Sequence, residues 1–182
     1  MADPAPPAAL PERVVLVGFM GAGKSTIGPL VAERLGWTFL DLDTRIEERT
    51  GRRIAELFRD DGEPAFRALE RVAAQEAMRQ RHLVLAAGGG AFAQPATREV
   101  LQEGSLTVWL RCDLPTILTR VPADGRRPLA ANRAIMQALL AEREPSYQLS
   151  EVVVDTSEGT PEAVARQVLE KLGARGIRDT TR

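Results

Sequence analysis

The sequence of 182 residues is poor in several residue types, and each shortage narrows the class of protein that it encodes. Its single cysteine, Cys112, cannot form an internal disulfide, which fits a protein of the reducing cytoplasm. No apolar run approaches the roughly 20 residues of a membrane-spanning helix. The formal net charge of −1 is too small to attract nucleic acid or an anionic membrane. We therefore expect a cytoplasmic protein whose partners are neither nucleic acids nor membranes.

The chain length suits one domain, and no repeat or linker divides it. Residues 1–12, MADPAPPAALPE, have neither a basic nor an apolar segment, so they predict a disordered Pro/Ala-rich arm rather than a signal peptide. Residues 13–173 are the predicted domain, and residues 174–182 are predicted to be a frayed tail. Residues 121–132, VPADGRRPLAAN, show no periodicity and contain two prolines, so they predict a mobile loop.

Short apolar runs alternate with amphipathic stretches, a pattern that favours an α/β fold with a parallel sheet. The strands are predicted at residues 14–17, 37–40, 83–87, 106–110 and 152–154. Helices are predicted at residues 24–35, from Glu63-Pro64 onward, at 95–102, at 115 to about 120, around residues 135–140 and from Thr160-Pro161 to Gly173. Turns are predicted at Thr50-Gly51 and at residues 60–62. The helix periodicity directs two sets of side chains to the core: Phe66, Leu69, Val72 and Ala73, and Ile135, Met136, Leu139 and Leu140.

Residues 18–25, GFMGAGKS, match the phosphate-loop pattern G-x-x-x-x-G-K-[ST] between a predicted strand and a predicted helix. Only Lys24 and Lys171 are lysines, against 22 arginines among 24 basic residues, so a chance match in the correct setting would be rare. Such a loop points backbone N–H groups at phosphates, and Lys24 would reach the β- and γ-phosphates while Ser25 binds Mg²⁺. The third strand ends in Ala-Ala-Gly-Gly-Gly, so no carboxylate is available there to hold the metal.

The second strand ends in Leu40-Asp41-Leu42-Asp43, and strand alternation predicts that Asp41 and Asp43 face the same side. Ligands bind at this edge of open α/β sheets. Asp41 would then hold a Mg²⁺-bound water and Asp43 an acceptor hydroxyl. The alternative is that Asp43 or Thr44 only caps the following helix.

The ordered set GFMGAGKST, LDLDTRIEERTGRRIAELFRDDGEPAFRALE, AAGGGAF and RRPL resembles the shikimate kinases. The resemblance implies a three-layer P-loop fold of the NMP-kinase type, with a five-stranded parallel sheet in the order 2-3-1-4-5 flanked by helices. It further implies transfer of the γ-phosphate of ATP to the 3-hydroxyl of shikimate with Mg²⁺, in aromatic amino-acid biosynthesis. We expect a monomer.

The same resemblance assigns roles to individual residues. It places a substrate-binding segment at about residues 43–72 and a lid at about 121–132, and it gives Glu70 a supporting role. The catalytic residues are Lys24, Asp43 and Arg127, and the metal residues are Ser25 and, through water, Asp41. The ATP-binding residues are Gly21, Ala22, Gly23, Lys24, Ser25, Thr26, Arg120 and Arg127, and the shikimate-binding residues are Asp43, Arg67, Gly88, Gly89, Gly90 and Arg143.

Each assignment has a plainer alternative. Arg67 could form only a surface ion pair with Glu70 three residues along a helix, and Arg143 could only complement a helix dipole. The three glycines could form a simple strand-to-helix turn. At the level of function, the alternatives are a kinase of another small polyol acid, such as gluconate, and a non-catalytic nucleotide-binding module. The sequence also departs from the family after the fifth strand, where Glu158 and Gly159 replace a frequent adenine contact.

Overall fold

The computed structural model describes residues 10–121 and 132–178. Within them, strands alternate with helices along the chain. The strands are β1 (Arg13–Val17), β2 (Thr38–Asp41), β3 (Leu83–Ala86), β4 (Leu106–Arg111) and β5 (Val152–Asp155). The helices are α1 (Lys24–Leu35), α2 (Leu42–Thr50), α3 (Ile54–Ala77), α4 (Pro95–Gln102), α5 (Leu114–Arg120), α6 (Arg133–Tyr147) and α7 (Pro161–Gly173).

The five strands form one parallel sheet in the order β2-β3-β1-β4-β5, which confirms the predicted order. Strand β1 is central and pairs with β3 and β4, so that Val15 lies opposite Leu85 on one side and Thr107 on the other. Residues 14–17 are almost wholly buried, as expected for a strand covered on both faces. Because all strands run in one direction, the loops after β1, β2 and β3 meet at one edge.

Helices flank this sheet. Helix α1 packs against β2 and β3, α7 packs against α1 and β5, and α4 packs against β4 and α3. Two residues predicted to face the core do not, because Val72 is 39% exposed and Ile135 is 45% exposed. Their neighbours Ala73 and Met136, which were predicted to face the core with them, are buried. The buried stripe of each helix is therefore narrower than the apolar pattern indicated.

Helix α3 contains the turn that the sequence predicted at residues 60–62. Gly62 has the non-helical angles φ 80° and ψ 168°, so a kink there divides α3 into two helical segments. Pro64 then lies near the start of the second segment, where its missing N–H is tolerated. The kink aims the second segment, which carries Arg67 and Glu70, at the carboxyl edge of the sheet.

Packing extends beyond the predicted domain at both ends. Ile177, in the segment predicted to be a frayed tail, is 4% exposed, and its N–H donates to the Leu172 carbonyl at 3.1 Å. Glu12, in the predicted arm, forms an ion pair with Arg81. Residues 1–9, 122–131 and 179–182 lie outside the described residues, and with them most of the predicted arm and lid. No helix among the described residues is long and apolar enough to cross a membrane.

Candidate active site

The motif of residues 18–25 connects β1 to the start of α1 at the carboxyl edge of the sheet, and all three of its glycines are structurally required. Gly18 has φ 141°, Gly21 has φ 78° and Gly23 has φ 97°, in the region that side chains rarely adopt. A Cβ atom on Gly18 would also lie 2.5 Å from the backbone oxygen of Leu110 in β4. The loop is therefore pressed against β4, and its path depends on glycine.

Lys24 is the first residue of α1, and its side chain folds back over the loop. The Nζ atom donates hydrogen bonds to the carbonyl oxygens of Gly18 at 2.7 Å and Phe19 at 3.0 Å. Ser25 and Thr26 follow in the exposed first turn of the helix, which contains no acidic residue. A cation and a helix N-terminus are thus joined at one loop, an arrangement that attracts phosphate.

The hydroxyl of Ser25 donates a hydrogen bond of 2.5 Å to Oδ2 of Asp41, at the end of β2. The other oxygen of Asp41 accepts from the backbone N–H groups of Asp43 at 3.0 Å and Thr44 at 3.3 Å. Asp41 is consequently the N-cap of α2, and the strand alternation predicted to run on to Asp43 is wrong. Neither Asp43 nor Thr44 caps this helix. The cap orients Asp41 toward the nucleotide loop, because one carboxylate oxygen is used by the helix and the other by Ser25.

The pair formed by Ser25 and Asp41 has the donor chemistry that suits Mg²⁺. Both side chains offer hard oxygen atoms, and Mg²⁺ in kinases commonly binds one or two protein oxygens together with phosphates and waters. In the described part of the chain, no group of three or more His, Cys, Asp or Glu side chains is arranged as a metal site. The residues present therefore fit a metal ion that the nucleotide brings, rather than one held in a cage of protein ligands.

The three consecutive glycines follow β3, and their φ angles are ones that any residue can adopt. Space, rather than backbone freedom, therefore explains them. A Cβ atom on Gly88 would lie 2.8 Å from Oδ1 of Asp43 and 2.8 Å from Oε1 of Glu70. Two carboxylates thus face the same backbone atom, and a side chain at residue 88 would displace both.

Gly89 and Gly90 face the two arginines that the sequence singled out. A Cβ atom on Gly90 would overlap the guanidinium of Arg67. One on Gly89 would lie 3.5 Å from Nη1 of Arg143. The structure therefore gathers Asp43, Arg67 and Arg143, which are far apart in the sequence, around one bare stretch of backbone.

Arg67 belongs to an ion-pair cluster in α3. Its Nη1 atom lies 2.8 Å from Oε2 of Glu70, and its Nε and Nη2 atoms donate to Oε1 of Glu63 at 3.1 and 2.9 Å. The side chains of Arg67 and Glu70 are 15% and 1% exposed, so this is not the surface ion pair considered from the sequence. Burial raises the pKa of Glu70 above its ordinary value, although Arg67 opposes this effect. Glu70 thereby holds the guanidinium in place.

Arg143 lies near the end of α6, with its guanidinium carbon 5.8 Å from the ring centre of Phe19 in the nucleotide loop. One helical turn further on is Tyr147, which the sequence analysis missed. Its side chain is wholly buried, and its hydroxyl donates a hydrogen bond to the carbonyl of Gly89. Burial raises the pKa of Tyr147 to about 12. The only sequence signals were its uniqueness as a tyrosine and its spacing of four residues from Arg143.

Arg120 ends α5 and reaches across to the chain after β5. Its Nη2 atom donates to the carbonyl of Thr156 at 2.7 Å, and its Nη1 atom lies 3.5 Å from Sγ of Cys112. Thr156 in turn donates through its hydroxyl to the carbonyl of Ala22 in the nucleotide loop at 3.0 Å. Arg120 is thus beside the nucleotide loop. Arg127 lies outside the described residues.

Comparison with known proteins agrees with this geometry. The family model described as shikimate kinase matches residues 20–173. The shikimate kinase of Moorella thermoacetica is 42% identical over 167 residues, which cover 91% of this chain and 96% of that protein. The shikimate kinase of Cereibacter sphaeroides is 40% identical over 171 residues, which cover 92% of this chain and 86% of that protein. The chain belongs to the shikimate kinase family.

A solved structure of a shikimate kinase, that of Acinetobacter baumannii in complex with shikimate, has the same fold. It superimposes with a TM-score of 0.87 at 36% identity, covering 93% of this chain and 96% of that one. The predicted family, fold and activity are therefore confirmed: the chain is an ATP-dependent kinase of the shikimate kinase family, which phosphorylates a hydroxyl group of shikimate. This result favours a shikimate kinase over a kinase of another polyol acid and over a non-catalytic module.

Proposed function

We propose that the γ-phosphoryl group of ATP passes to the 3-hydroxyl of shikimate in the cleft between the nucleotide loop and residues 88–90. One observation carries the proposal. The Cβ position of Gly89 is 3.5 Å from the backbone nitrogen of Met20 and 3.5 Å from Nη1 of Arg143. Arg143, which suits the carboxylate of the acceptor shikimate, and the backbone of the nucleotide loop, which suits the donor ATP, therefore meet at Gly89. This proximity is what direct phosphoryl transfer requires.

On the acceptor side, Arg67 and Arg143 bind the carboxylate of shikimate. Guanidinium groups match a carboxylate through paired hydrogen bonds, and Glu70 fixes the orientation of Arg67. Asp43 accepts hydrogen bonds from the ring hydroxyls and orients the 3-hydroxyl. Gly88, Gly89 and Gly90 leave room for the ring to lie against the backbone.

On the donor side, Gly21, Ala22, Gly23 and Thr26 surround the phosphates with backbone N–H groups, and Lys24 neutralises their charge. The 3-hydroxyl oxygen forms a bond to the γ-phosphorus while the bond from that phosphorus to the ADP oxygen breaks, and the hydroxyl proton is released. Arg127, assigned from the RRPL motif alone, adds positive charge from the lid. Arg120 contacts adenine, a role supported by its position beside Thr156.

Mg²⁺ is the cofactor in this proposal, held by Ser25 directly and by Asp41 through water. When bound, it would offset the negative charge of the transferring phosphates. The short contact between the Ser25 hydroxyl and the Asp41 carboxylate supports the assignment, because it brings two oxygen donors to the nucleotide loop.

We also propose a cytoplasmic monomer, with the catalytic domain at residues 13–173, that acts only on small molecules. The small net charge supports the proposal of small-molecule partners, and the free Cys112 supports the cytoplasmic location. Light scattering coupled to size exclusion would test it, and a dimer mass would contradict the monomer.

The decisive experiment is a coupled assay of ADP release with shikimate and, separately, with gluconate and other sugar acids. We expect turnover with shikimate that depends on Mg²⁺, and identification of shikimate 3-phosphate by mass spectrometry. The two lysines provide the control for contaminating kinases: Lys24→Met should abolish the activity, whereas Lys171→Met, on the exposed side of α7, should retain it. Turnover with gluconate but not with shikimate would overturn the proposal.

A further inference from the structure

Tyr147 connects two parts of the site that come from different elements. Its hydroxyl donates to the carbonyl of Gly89, in the loop after β3, from a position 58 residues further along the chain. The guanidinium of Arg143, one helical turn before Tyr147 on the same side of α6, lies against the same residue, with Nη1 at 3.5 Å from the Cβ position of Gly89. The backbone of Gly88, Gly89 and Gly90 is here called the acceptor wall. The Tyr147 hydroxyl thus connects the acceptor wall with the end of α6 that carries Arg143.

The helix needs such an anchor at this point. Pro145 lies inside α6 between Arg143 and Tyr147, and a proline there removes one backbone hydrogen bond of the helix. The Tyr147 ring is fixed on its other side by Trp109 of β4, whose ring centre is 6.1 Å away. The side chain of Tyr147 therefore joins the last turn of α6 to the sheet and to the loop after β3.

We propose that Tyr147 is a positioning residue for phosphoryl transfer. Its hydroxyl fixes the Gly89 carbonyl and the Arg143 guanidinium relative to each other, and thereby sets how the acceptor carboxylate is aligned with the nucleotide loop. The inference rests on the proposed role of Arg143 in binding that carboxylate.

Tyr147→Phe tests the inference because it removes the hydroxyl and keeps the buried ring. We expect the KM for shikimate to rise by about three- to tenfold, the effect of one hydrogen bond. The KM for ATP should change by less than about twofold, since the hydroxyl donates its hydrogen bond to the Gly89 carbonyl, in the loop after β3. In the background of Arg143→Ala, the same substitution should have a smaller effect, because its partner is already missing.

A purely structural role for Tyr147 gives a different result. Val168→Ala is the control, since Val168 is wholly buried in α7 and its truncation should lower the melting temperature without changing either KM. If Tyr147→Phe behaves like this control, or if its effect is unchanged by Arg143→Ala, the proposal is overturned.

A readout independent of activity separates this inference from the proposed function. Labelling with phenylglyoxal, followed by mass spectrometry, measures how accessible the Arg143 guanidinium is. We expect Arg143 to be modified faster in Tyr147→Phe than in the wild-type protein, with unchanged modification of the exposed Arg59. Equal rates at Arg143 would contradict the positioning role. A wild-type protein without shikimate-dependent turnover would contradict only the proposed function.

Discussion

Arg67 and Glu70 form an ion pair of 2.8 Å in which the carboxylate is almost completely removed from solvent. Placing a carboxylate there costs solvation free energy that a single ion pair does not always recover. The pair is therefore better explained by function than by stability. It holds a guanidinium beside the bare backbone at Gly90, ready to bind an anionic ligand.

Replacing Arg67 should impair the use of shikimate much more than the use of ATP. For Arg67→Lys, which keeps the charge beside Glu70 but loses the paired hydrogen-bond geometry, we expect kcat/KM for shikimate to fall by about one to two orders of magnitude. The KM for ATP should change little. Steady-state kinetics with each substrate varied in turn measures both effects.

Arg59 offers a matched control for this prediction. It lies in the same helix, pairs with Asp60 and has a side chain that is 70% exposed. Arg59→Lys should leave both kinetic constants unchanged. An equal loss of shikimate and ATP use in Arg67→Lys would mean that Arg67 serves the fold or the nucleotide rather than the acceptor.

Glu70 should make a pH-dependent contribution to stability. Burial raises its pKa above the ordinary value of 4.5, so the folded state retains the proton over a pH range in which the unfolded state has lost it. The contribution of Glu70 to the free energy of unfolding is therefore lost as pH rises through this range. Glu70→Gln cannot titrate, so its free energy of unfolding relative to the wild type should increase as pH rises above about 4.5. Urea denaturation at several pH values measures the difference.

Asp155 provides a comparison of opposite sign. Its pKa is lowered from 3.8, chiefly by the backbone N–H of Ser157, which donates to it at 2.9 Å. Its contribution to stability should therefore be lost as pH falls below that value. The free energy of unfolding of Asp155→Asn should then increase relative to that of the wild type on acidification. If the free energy of unfolding of Glu70→Gln relative to the wild type changed with pH in the same direction as that of Asp155→Asn, this result would contradict the raised pKa of Glu70.

Asp41 combines two roles that substitutions can separate. Asparagine is an equally good helix N-cap, so Asp41→Asn should keep the stability of α2 while removing the charge that we assign to the metal. We expect its activity to require a higher Mg²⁺ concentration, with an unchanged melting temperature. Asp41→Ala should lose about 1 kcal/mol of stability in addition. Titration of activity with Mg²⁺, beside thermal unfolding, distinguishes the roles. An unaltered Mg²⁺ requirement in Asp41→Asn would limit Asp41 to capping.

The sequence predicted the sheet well because buried parallel strands and helix caps leave local signals. The apolar run of residues 14–17, the glycine after α1 and the proline at the start of α7 each mark an element on their own. Periodicity was less informative about the width of the buried stripe of a helix, because that width depends on the elements that pack against the helix. Val72 and Ile135 were misplaced for that reason.

Within the site, the local reading failed where backbone geometry changes abruptly. At Asp41 the chain switches from strand to helix, so the alternation used to place Asp43 no longer applied. Tyr147 was missed because its partner Gly89 lies in another part of the sequence, and no local pattern encodes such a contact. The resemblance to the shikimate kinases predicted the other site residues. The structure brings three of them, Asp43, Arg67 and Arg143, together around residues 88–90.

Gly89 should respond to the size of the side chain placed on it, because its backbone angles suit any residue. A single Cβ atom would make ordinary contacts, at 3.5 Å from both Arg143 and Met20, so Gly89→Ala should lose little activity. Gly89→Val and Gly89→Leu would extend into the space proposed for the shikimate ring, and we expect their shikimate KM to rise progressively while ATP binding persists. Isothermal titration with each ligand measures this directly. Gly173→Ala, where the added atom meets nothing within 4 Å, is the control. Equal weakening of ATP and shikimate across the series would place residue 89 at the nucleotide rather than at the acceptor wall.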